Sequence, residues 1–413
     1  MFRTPVFFLG LCLLPLFWLP FAAFWGFNLG LNTIGLLIIS AQTLFYNFSK
    51  VKASSVAKWL IVCYFILFFV VLLWSLMNLA YNSVYTKYFF QFTLFIMFFL
   101  AALEFEYFLK NFKLFRLALL STALFFCLSV IFTSKVDSIV LFISVIKVSS
   151  VELIPISKDL FGLFLLSNNV DYADLINFHN VIAQHVFGFF VVILAINRSI
   201  KGYLLVDVIS IFWIFFSILL LSGQVLAEII IIFLFCILVA LRKSNFKSVL
   251  ILSSLPIFIV FSIYFLLGSD LVNEWLTRLS SGNISTGRWD IWVRHWESLT
   301  HFEYVFGSSG VISKDPHNII VTTMLVFGIP AAILVTITYI AFSVRFLFRS
   351  FYSSDIFQSD LLYYAISISI PFQLFFAMMI SGGYGFPGFS ELYKTLLLFY
   401  FLNFSRNSLR GEK

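Results

Sequence analysis

Apolar runs of membrane-spanning length recur along the whole chain. They fall at about 5–24, 27–46, 59–80, 88–109, 117–134, 179–197, 203–221, 225–241, 248–268, 317–343, 361–380 and 392–404. Each is close to the ~20 residues that an α-helix needs to cross a bilayer, whereas a barrel would show alternating strands of ~10 residues. With 62% hydrophobic and 11% charged residues, the chain cannot cover a soluble globule. The sequence predicts one all-α membrane domain over residues 1–413, with about twelve transmembrane helices.

The placement of lysine and arginine predicts the orientation of these helices. With a cytoplasmic N-terminus, the inner connections are 1–4, 47–58, 110–116, 198–202, 242–247, 345–360 and 403–413, and they hold 17 of the 26 basic residues. The positive-inside rule therefore favours cytoplasmic N and C termini. Two long periplasmic loops follow from this arrangement, at 135–178 and 269–316. The first apolar run has no clear small-residue cleavage site, so we expect it to be retained as a membrane helix.

Charge and cysteine content exclude several classes of function. The net charge of +7 has no soluble basic domain to carry it, so no nucleic-acid partner is expected. The four cysteines all lie inside apolar runs and form no CxxC pair. Neither a disulfide framework nor a metal site is expected from that pattern.

The most charged short stretch of the second long loop is "STGRWDIWVRHW", residues 285–296. On a helix over residues 288–297, the three tryptophans share one face. Arg288 and His295 lie beside that face, and Arg294 lies on the opposite, charged side. Such a helix suits the membrane–water boundary, where it would hold Arg288 and His295 at the depth of lipid phosphates. A plain amphipathic anchor with solvated charges explains the same pattern.

Small residues and a histidine follow this stretch. The "FGSSG" motif at 306–310 predicts a turn whose N–H groups can face an anion, and His317 and Asn318 open the next apolar run. An arginine that binds a diphosphate, together with a histidine of near-neutral pKa, suits group transfer from a phosphate leaving group. Arg288 and His317 are therefore the predicted catalytic residues. A histidine at a helix start is also commonly a cap.

Two further polar clusters lie at predicted outer helix ends. The "FHNVIAQH" segment contributes His179 and Asn180, and the "LSGQ" turn at 221–224 ends on Gln224. Amides and small residues also pack membrane helices together, so a structural role is equally open. Glu228 lies about one turn inside the next helix. An acid there marks a functional site by default, unless it pairs with a polar partner.

The order of these features resembles the O-antigen polymerase and O-antigen ligase superfamily of bacterial envelopes. The matching motifs are "GRWDIW" at 287–292, "FGSSG", the "HN" at 317–318 followed by Gly328, and the "HNVIAQH" and "LSGQ" segments. The resemblance covers about residues 175–345. It implies a multi-pass protein of the bacterial inner membrane with a helical fold of the GT-C type.

The resemblance also implies an activity. It suggests a metal-independent glycosyltransferase, without a cofactor, that moves glycan from undecaprenyl diphosphate to an acceptor hydroxyl. Arg288 would hold the diphosphate and His317 would act as base. The family often carries another arginine near the outer turn, where this chain has Gln224, so Lys135, Arg294 or His179 would stand in. The predicted substrate-binding set is Arg294, His295, Asn318, His179, Asn180, Gln224 and Lys135.

The leading functional hypothesis is a polymerase that joins lipid-linked oligosaccharide repeat units. The alternatives are a ligase that transfers finished polymer to lipid A core and, from another class, a flippase for lipid-linked oligosaccharides. A flippase would need cations at mid-membrane depth, and the apolar runs contain almost none. The expected partners are the lipid-linked oligosaccharide and membrane lipid, and a chain-length regulator protein remains open.

Overall fold

The computed structural model shows a predominantly helical chain. It describes residues 3–24, 27–47, 93–94, 96–104, 112–133, 178–220, 222–242, 288–307, 318–352, 361–381 and 393–397, with isolated positions at 62, 65, 66, 69 and 161. In chain order, the elements are α1 (Arg3–Leu13), β1 (Pro20–Phe24), β2 (Phe27–Gly30), α2 (Leu31–Asn47), α3 (Phe112–Thr133), α4 (Phe178–Ser199), α5 (Leu204–Leu219), α6 (Gly223–Arg242), α7 (Arg288–Glu297), α8 (His301–Phe306), α9 (Ile319–Phe327), α10 (Ile329–Tyr352) and α11 (Leu361–Ser381). Residues 96–104 and 393–397 are also helical. The apolar run at 248–268 and most of the run at 59–80 lie outside the described residues.

The first two predicted spans are wrong in detail, and the prediction of an all-α fold has one exception. Helix α1 ends at Leu13, because Leu14 precedes Pro15 and a residue before proline disfavours the helical conformation. The chain then forms an antiparallel hairpin, in which Pro20 pairs with Gly30 and Phe24 with Phe27. The apolar run at 5–24 is therefore a short helix and a strand, and α2 begins only at Leu31.

Three helices contain stretches that are long and apolar enough to cross a membrane. These stretches are Lys113–Thr133 in α3, Asn180–Ser199 in α4 and Gln224–Arg242 in α6. A rise of ~1.5 Å per residue lets ~20 residues cover the ~30 Å hydrocarbon core. Five predicted runs coincide with helices α3, α4, α5, α6 and α11 to within five residues at each end. The prediction of a helical membrane protein is supported at this level.

Polar and apolar side chains are distributed as in a protein that faces lipid. Ile333, Ile337 and Ile340 line one exposed stripe of α10. Conversely, Gln42 and Gln373 are buried. Soluble proteins expose their polar residues, whereas membrane helices bury small and polar groups against one another. The exposed apolar stripe therefore fits contact with hydrocarbon tails.

Helix α11 lies at the centre of the described helices. It packs against α4, α6, α9 and α10, while α4 and α5 form an antiparallel pair beside it. Aromatic rings fill much of the core: Phe126 meets Trp213 edge-on at 4.9 Å between ring centroids and Phe190 at 4.9 Å.

The predicted span at 317–343 is also corrected by the structure. It is divided into α9 and α10 by Gly328, whose φ of +87° and ψ of 171° cannot continue a helix. Residues that carry a side chain rarely adopt this φ, whereas glycine does so without steric penalty. The chain therefore changes direction at Gly328, and α9 becomes a short, almost fully buried helix.

Candidate functional site

Helix α7 forms over Arg288–Glu297, as the sequence predicted. Trp289 and Trp296 remain 63% and 46% exposed, while Trp292 is half-buried. The rings of Trp289 and Trp292 lie 5.9 Å apart on the tryptophan face. On the charged side, the exposed Arg294 donates from Nε to the Asp290 carbonyl at 3.1 Å. The helix thus has one aromatic and one charged face, a pattern typical of interfacial helices.

Helix α8 follows α7 directly and begins with a capping box. The Thr300 backbone N–H donates to the Glu303 carboxylate at 2.7 Å, and the Thr300 hydroxyl donates to the same oxygen at 2.8 Å. The first of these bonds, reinforced by the second, lowers the pKa of Glu303 below its ordinary value. Tyr304 donates to the Trp296 carbonyl at 2.8 Å, and the two rings lie 5.1 Å apart. These contacts join α7 and α8 into one unit.

Two glycines dock this unit onto α9. A Cβ added to Gly307 would stand 2.2 Å from the Val326 carbonyl oxygen, and one added to Gly328 would stand 2.0 Å from the Val305 carbonyl oxygen. The ends of α8 and α9 therefore touch backbone to backbone. Both glycines belong to the motifs that carry the family resemblance, which gives those motifs a packing role here.

Asn318, one of the predicted substrate-binding residues, caps the start of α9. Its side-chain oxygen accepts hydrogen bonds from the backbone N–H groups of Ile320 at 2.9 Å and Val321 at 3.1 Å. The residue is buried. This oxygen satisfies donors that a helix start leaves open, so its structural role is established by geometry. Helices α7 and α8 both contact α9, the helix that Asn318 caps.

A second group of polar residues lies at the start of α6, and we call it the buried polar cluster: Gln224, Glu228 and Lys394. The Gln224 amide donates to the Glu228 carboxylate at 3.1 Å. Lys394, from the 393–397 segment, forms an ion pair with the other oxygen of Glu228, and both side chains are only 2% exposed. The Lys394 ammonium also lies over the Phe187 ring, 5.7 Å from its centroid.

Lys394 was missed as a site residue, although a sequence signal existed. Lys394 lies in the last apolar run and Glu228 in an earlier one, so each is a single charge in an apolar surrounding. Such charges in neighbouring membrane helices commonly pair with each other. The open question about Glu228 is answered: it has a cationic partner, 166 positions along the chain.

The remaining predicted residues are only partly described. Asn180 lies half-buried in the first turn of α4. For Arg288 and His179 the structure describes the helical backbone, while Lys135 and His317 lie outside the described residues. The structure thus places Arg294 and His295 on α7, which contacts the helix that Asn318 caps, and it places Gln224 in the buried polar cluster.

The described residues offer charge and hydrogen bonding rather than metal ligation. Within the described ranges, no three His, Cys, Asp or Glu side chains are close enough to hold a metal ion. The two polar regions combine arginine, lysine, carboxylate and amide groups, which suits binding of a polar head group. No family model, curated protein or solved structure matches this chain.

Proposed function

We propose that this chain is a metal-independent glycosyltransferase of the bacterial inner membrane. It joins undecaprenyl-diphosphate-linked oligosaccharide repeat units on the periplasmic side. The observation that carries the proposal is α7, which begins at Arg288 and presents exposed tryptophans beside a charged face. Tryptophan favours the headgroup level of a bilayer, so this helix would hold its cations where a lipid diphosphate lies.

The position of α7 against α9 also supports the proposal. His317 immediately precedes Asn318, the cap of α9, and α7 packs on that helix. A diphosphate-binding arginine and a histidine would thus belong to adjoining elements. The resemblance to the O-antigen polymerase and ligase superfamily points to the same pair of residues.

The proposed reaction is a single displacement. The acceptor hydroxyl oxygen attacks the anomeric carbon, its proton passes to His317, and the bond from that carbon to the diphosphate oxygen breaks. Undecaprenyl diphosphate leaves with the bonding electron pair, and the configuration at the anomeric carbon inverts. Arg288 stabilises the charge that develops on the leaving group, and the membrane interface positions both reactants.

Surface glycan profiling tests this proposal. A deletion strain would carry the wild type, Arg288→Ala or His317→Ala, with equal amounts of protein in the membrane. We expect each variant to lose the polymer ladder and leave single repeat units on lipid A core. Loss of one charge-stabilising donor typically lowers the rate roughly 100-fold or more. Arg345→Ala, an exposed cation near the end of α10, is the matched control and keeps the ladder.

Two other outcomes would contradict the polymerase. Long polymer that accumulates on the carrier lipid, with lipid A core left bare, would mean that the chain is a ligase. An unchanged profile in both variants would refute the roles of Arg288 and His317 and would favour a transporter.

A further inference from the structure

The Glu228–Lys394 pair is expensive to keep inside a membrane protein. Both side chains are almost completely shielded from solvent. Removing two charges from water commonly costs more than their mutual attraction returns, and an apolar pair of the same size is often equally stable or more stable. Ionisable residues within membrane helices therefore mark functional sites by default.

Anchoring of the 393–397 segment does not require this pair. The neighbouring Tyr393 donates its hydroxyl to the Leu14 carbonyl at 2.6 Å. Its ring also packs against Phe98 and Phe189, at 6.0 and 5.3 Å between centroids. These contacts already fix the segment to three other parts of the chain, so its anchoring does not explain why the two charges are present.

Lys394 retains hydrogen-bonding capacity. Its ammonium group has three donors, and within the described part of the chain Glu228 is its one acceptor, with Phe187 as an additional cation–π contact. Buried donors are normally satisfied, so two donors without a described acceptor are available to an oxygen-bearing ligand.

One face of α4 carries polar residues at the start of the helix and contacts Lys394 further along it. Asn180, Gln184 and Phe187 lie within about 60° of one another on the helix. Because Phe187 contacts Lys394, this face looks towards the buried polar cluster. Asn180 and Gln184 are half-buried, so the face becomes progressively more enclosed along the helix.

Helix α6 lies beside α4 and carries Glu228, so the buried polar cluster is approached between these two helices. It contacts α4 and runs in the same direction, since α5 returns between them. Glu228 lies five residues after Gly223, the first residue of α6, which is about 7.5 Å along the axis. The buried polar cluster is therefore about one and a half turns from the end at which α4 and α6 both begin.

The chemistry of this entry favours a neutral, hydroxyl-rich ligand. The Glu228 and Lys394 charges cancel, so a phosphate would gain little net attraction. The amides of Asn180 and Gln184 both donate and accept, and hydroxyl groups do the same. We propose that Lys394 and Glu228, entered between α4 and α6, form a subsite for a neutral sugar residue of the lipid-linked glycan. This inference rests on the proposed function and names the glycan-binding part of the same protein.

The test compares two probes on the purified full-length protein in lipid nanodiscs. One probe is undecaprenyl diphosphate, and the other is undecaprenyl-diphosphate-linked oligosaccharide isolated from the deletion strain. The variant is Glu228→Met/Lys394→Met, which removes both charges together and leaves no unpaired ion. The control is Arg3→Met/Glu104→Met, which removes the ion pair formed by Arg3 Nε and Glu104 at 2.7 Å.

We expect the wild type to bind the glycan-bearing probe about tenfold or more tightly than the bare carrier, as suits hydrogen bonds to charged groups. The Glu228→Met/Lys394→Met variant loses that preference while binding the bare carrier as before, and the control keeps it. Equal binding of both probes by the wild type, or a preference that survives in the variant, would overturn the subsite and leave the proposed function standing. A wild type that binds neither probe would overturn both.

Discussion

Gly328 and Gly307 decide how α8 meets α9. Gly328 has a φ of 87° and Gly307 a φ of 78°. Gly328 leaves space for the backbone at the end of α8, and Gly307 leaves space for the backbone at the end of α9. A carbonyl oxygen cannot rotate away as a side chain can, so the contact depends on the absence of a Cβ at both positions. Here the identity of two residues controls the docking of a whole unit.

Gly328→Ala is expected to destabilise the protein by about 2 kcal/mol or more, since it combines an unfavourable φ with a backbone overlap. The overlap arises because the new Cβ would stand 2.0 Å from the Val305 carbonyl oxygen. Thermal unfolding of the purified protein in detergent measures the loss. Val305→Ala is the control, because it trims an exposed side chain and leaves that carbonyl in place. Equal unfolding temperatures for Gly328→Ala and the wild type would contradict the close contact.

At the scale of elements, α7 and α8 act together as one unit. The Tyr304 hydroxyl and the Trp296 carbonyl join them, and the capping box fixes where α8 begins. Because α8 has only six residues, its stability depends on this cap and on its contact with α9 rather than on helix propensity. The stability of α8 is therefore sensitive to loss of this cap.

The capping box makes α8 sensitive to acid. The pKa of Glu303 is lowered in the folded protein, first by the Thr300 backbone N–H, from an ordinary value of 4.5. Its contribution to stability is therefore complete above about pH 4.5 and is lost as the pH falls through the lower, folded pKa. We expect hydrogen-exchange protection of residues 301–306, corrected for the intrinsic exchange rate, to decline over that range. Glu303→Gln should show protection that no longer varies with acid, and an equally steep decline in this variant would exclude the carboxylate as the cause.

At the scale of the whole molecule, the described helices expose apolar side chains and bury a number of polar ones within their core. The stripe on α10 faces outward over several turns, while buried hydroxyl and amide groups such as Ser369 and Gln373 bond to one another at 2.6 Å. This arrangement fits a solvent that cannot form hydrogen bonds. It is the physical basis for treating the described helices as parts of a membrane domain.

Ile337→Asp tests that surface. Ile337 is 59% exposed on α10, so in water the substitution would change stability by only a few tenths of a kcal/mol. In a bilayer, an aspartate near the middle of a helix costs about 2.5–3.5 kcal/mol. We expect the amount of membrane-inserted protein to fall several-fold, as measured by fractionation of cells at equal expression. Ile337→Leu is the control, and normal insertion of Ile337→Asp would place this face away from lipid.

The sequence predicted the features that depend on local pattern. Helix α7 was predicted from the spacing of its tryptophans, and several long helices from their continuous apolar runs. The break at Gly328 was not predicted, because a glycine inside an apolar run is compatible with a helix until a second backbone is known to approach it. The Glu228–Lys394 pair was not predicted either: each residue is conspicuous as a single charge in an apolar run, but nothing in the sequence shows that two charges 166 positions apart are partners. Asn318 was noticed in the sequence, but its role was not, because a helix cap and a ligand-binding amide look identical in a sequence.

The hydrogen bond from Tyr393 to the Leu14 carbonyl joins positions 379 residues apart. At ~5–20 residues per second, a ribosome needs roughly 20–75 s to make the intervening chain. During that time the end of α1 lies in the membrane without this partner, which is made 379 residues later. Glu228 also lacks its partner during this time, because Lys394 is made immediately after Tyr393. The nascent chain therefore passes through a period in which a buried acid and the first helix end both lack their partners, and insertase or chaperone contact at that stage would protect it.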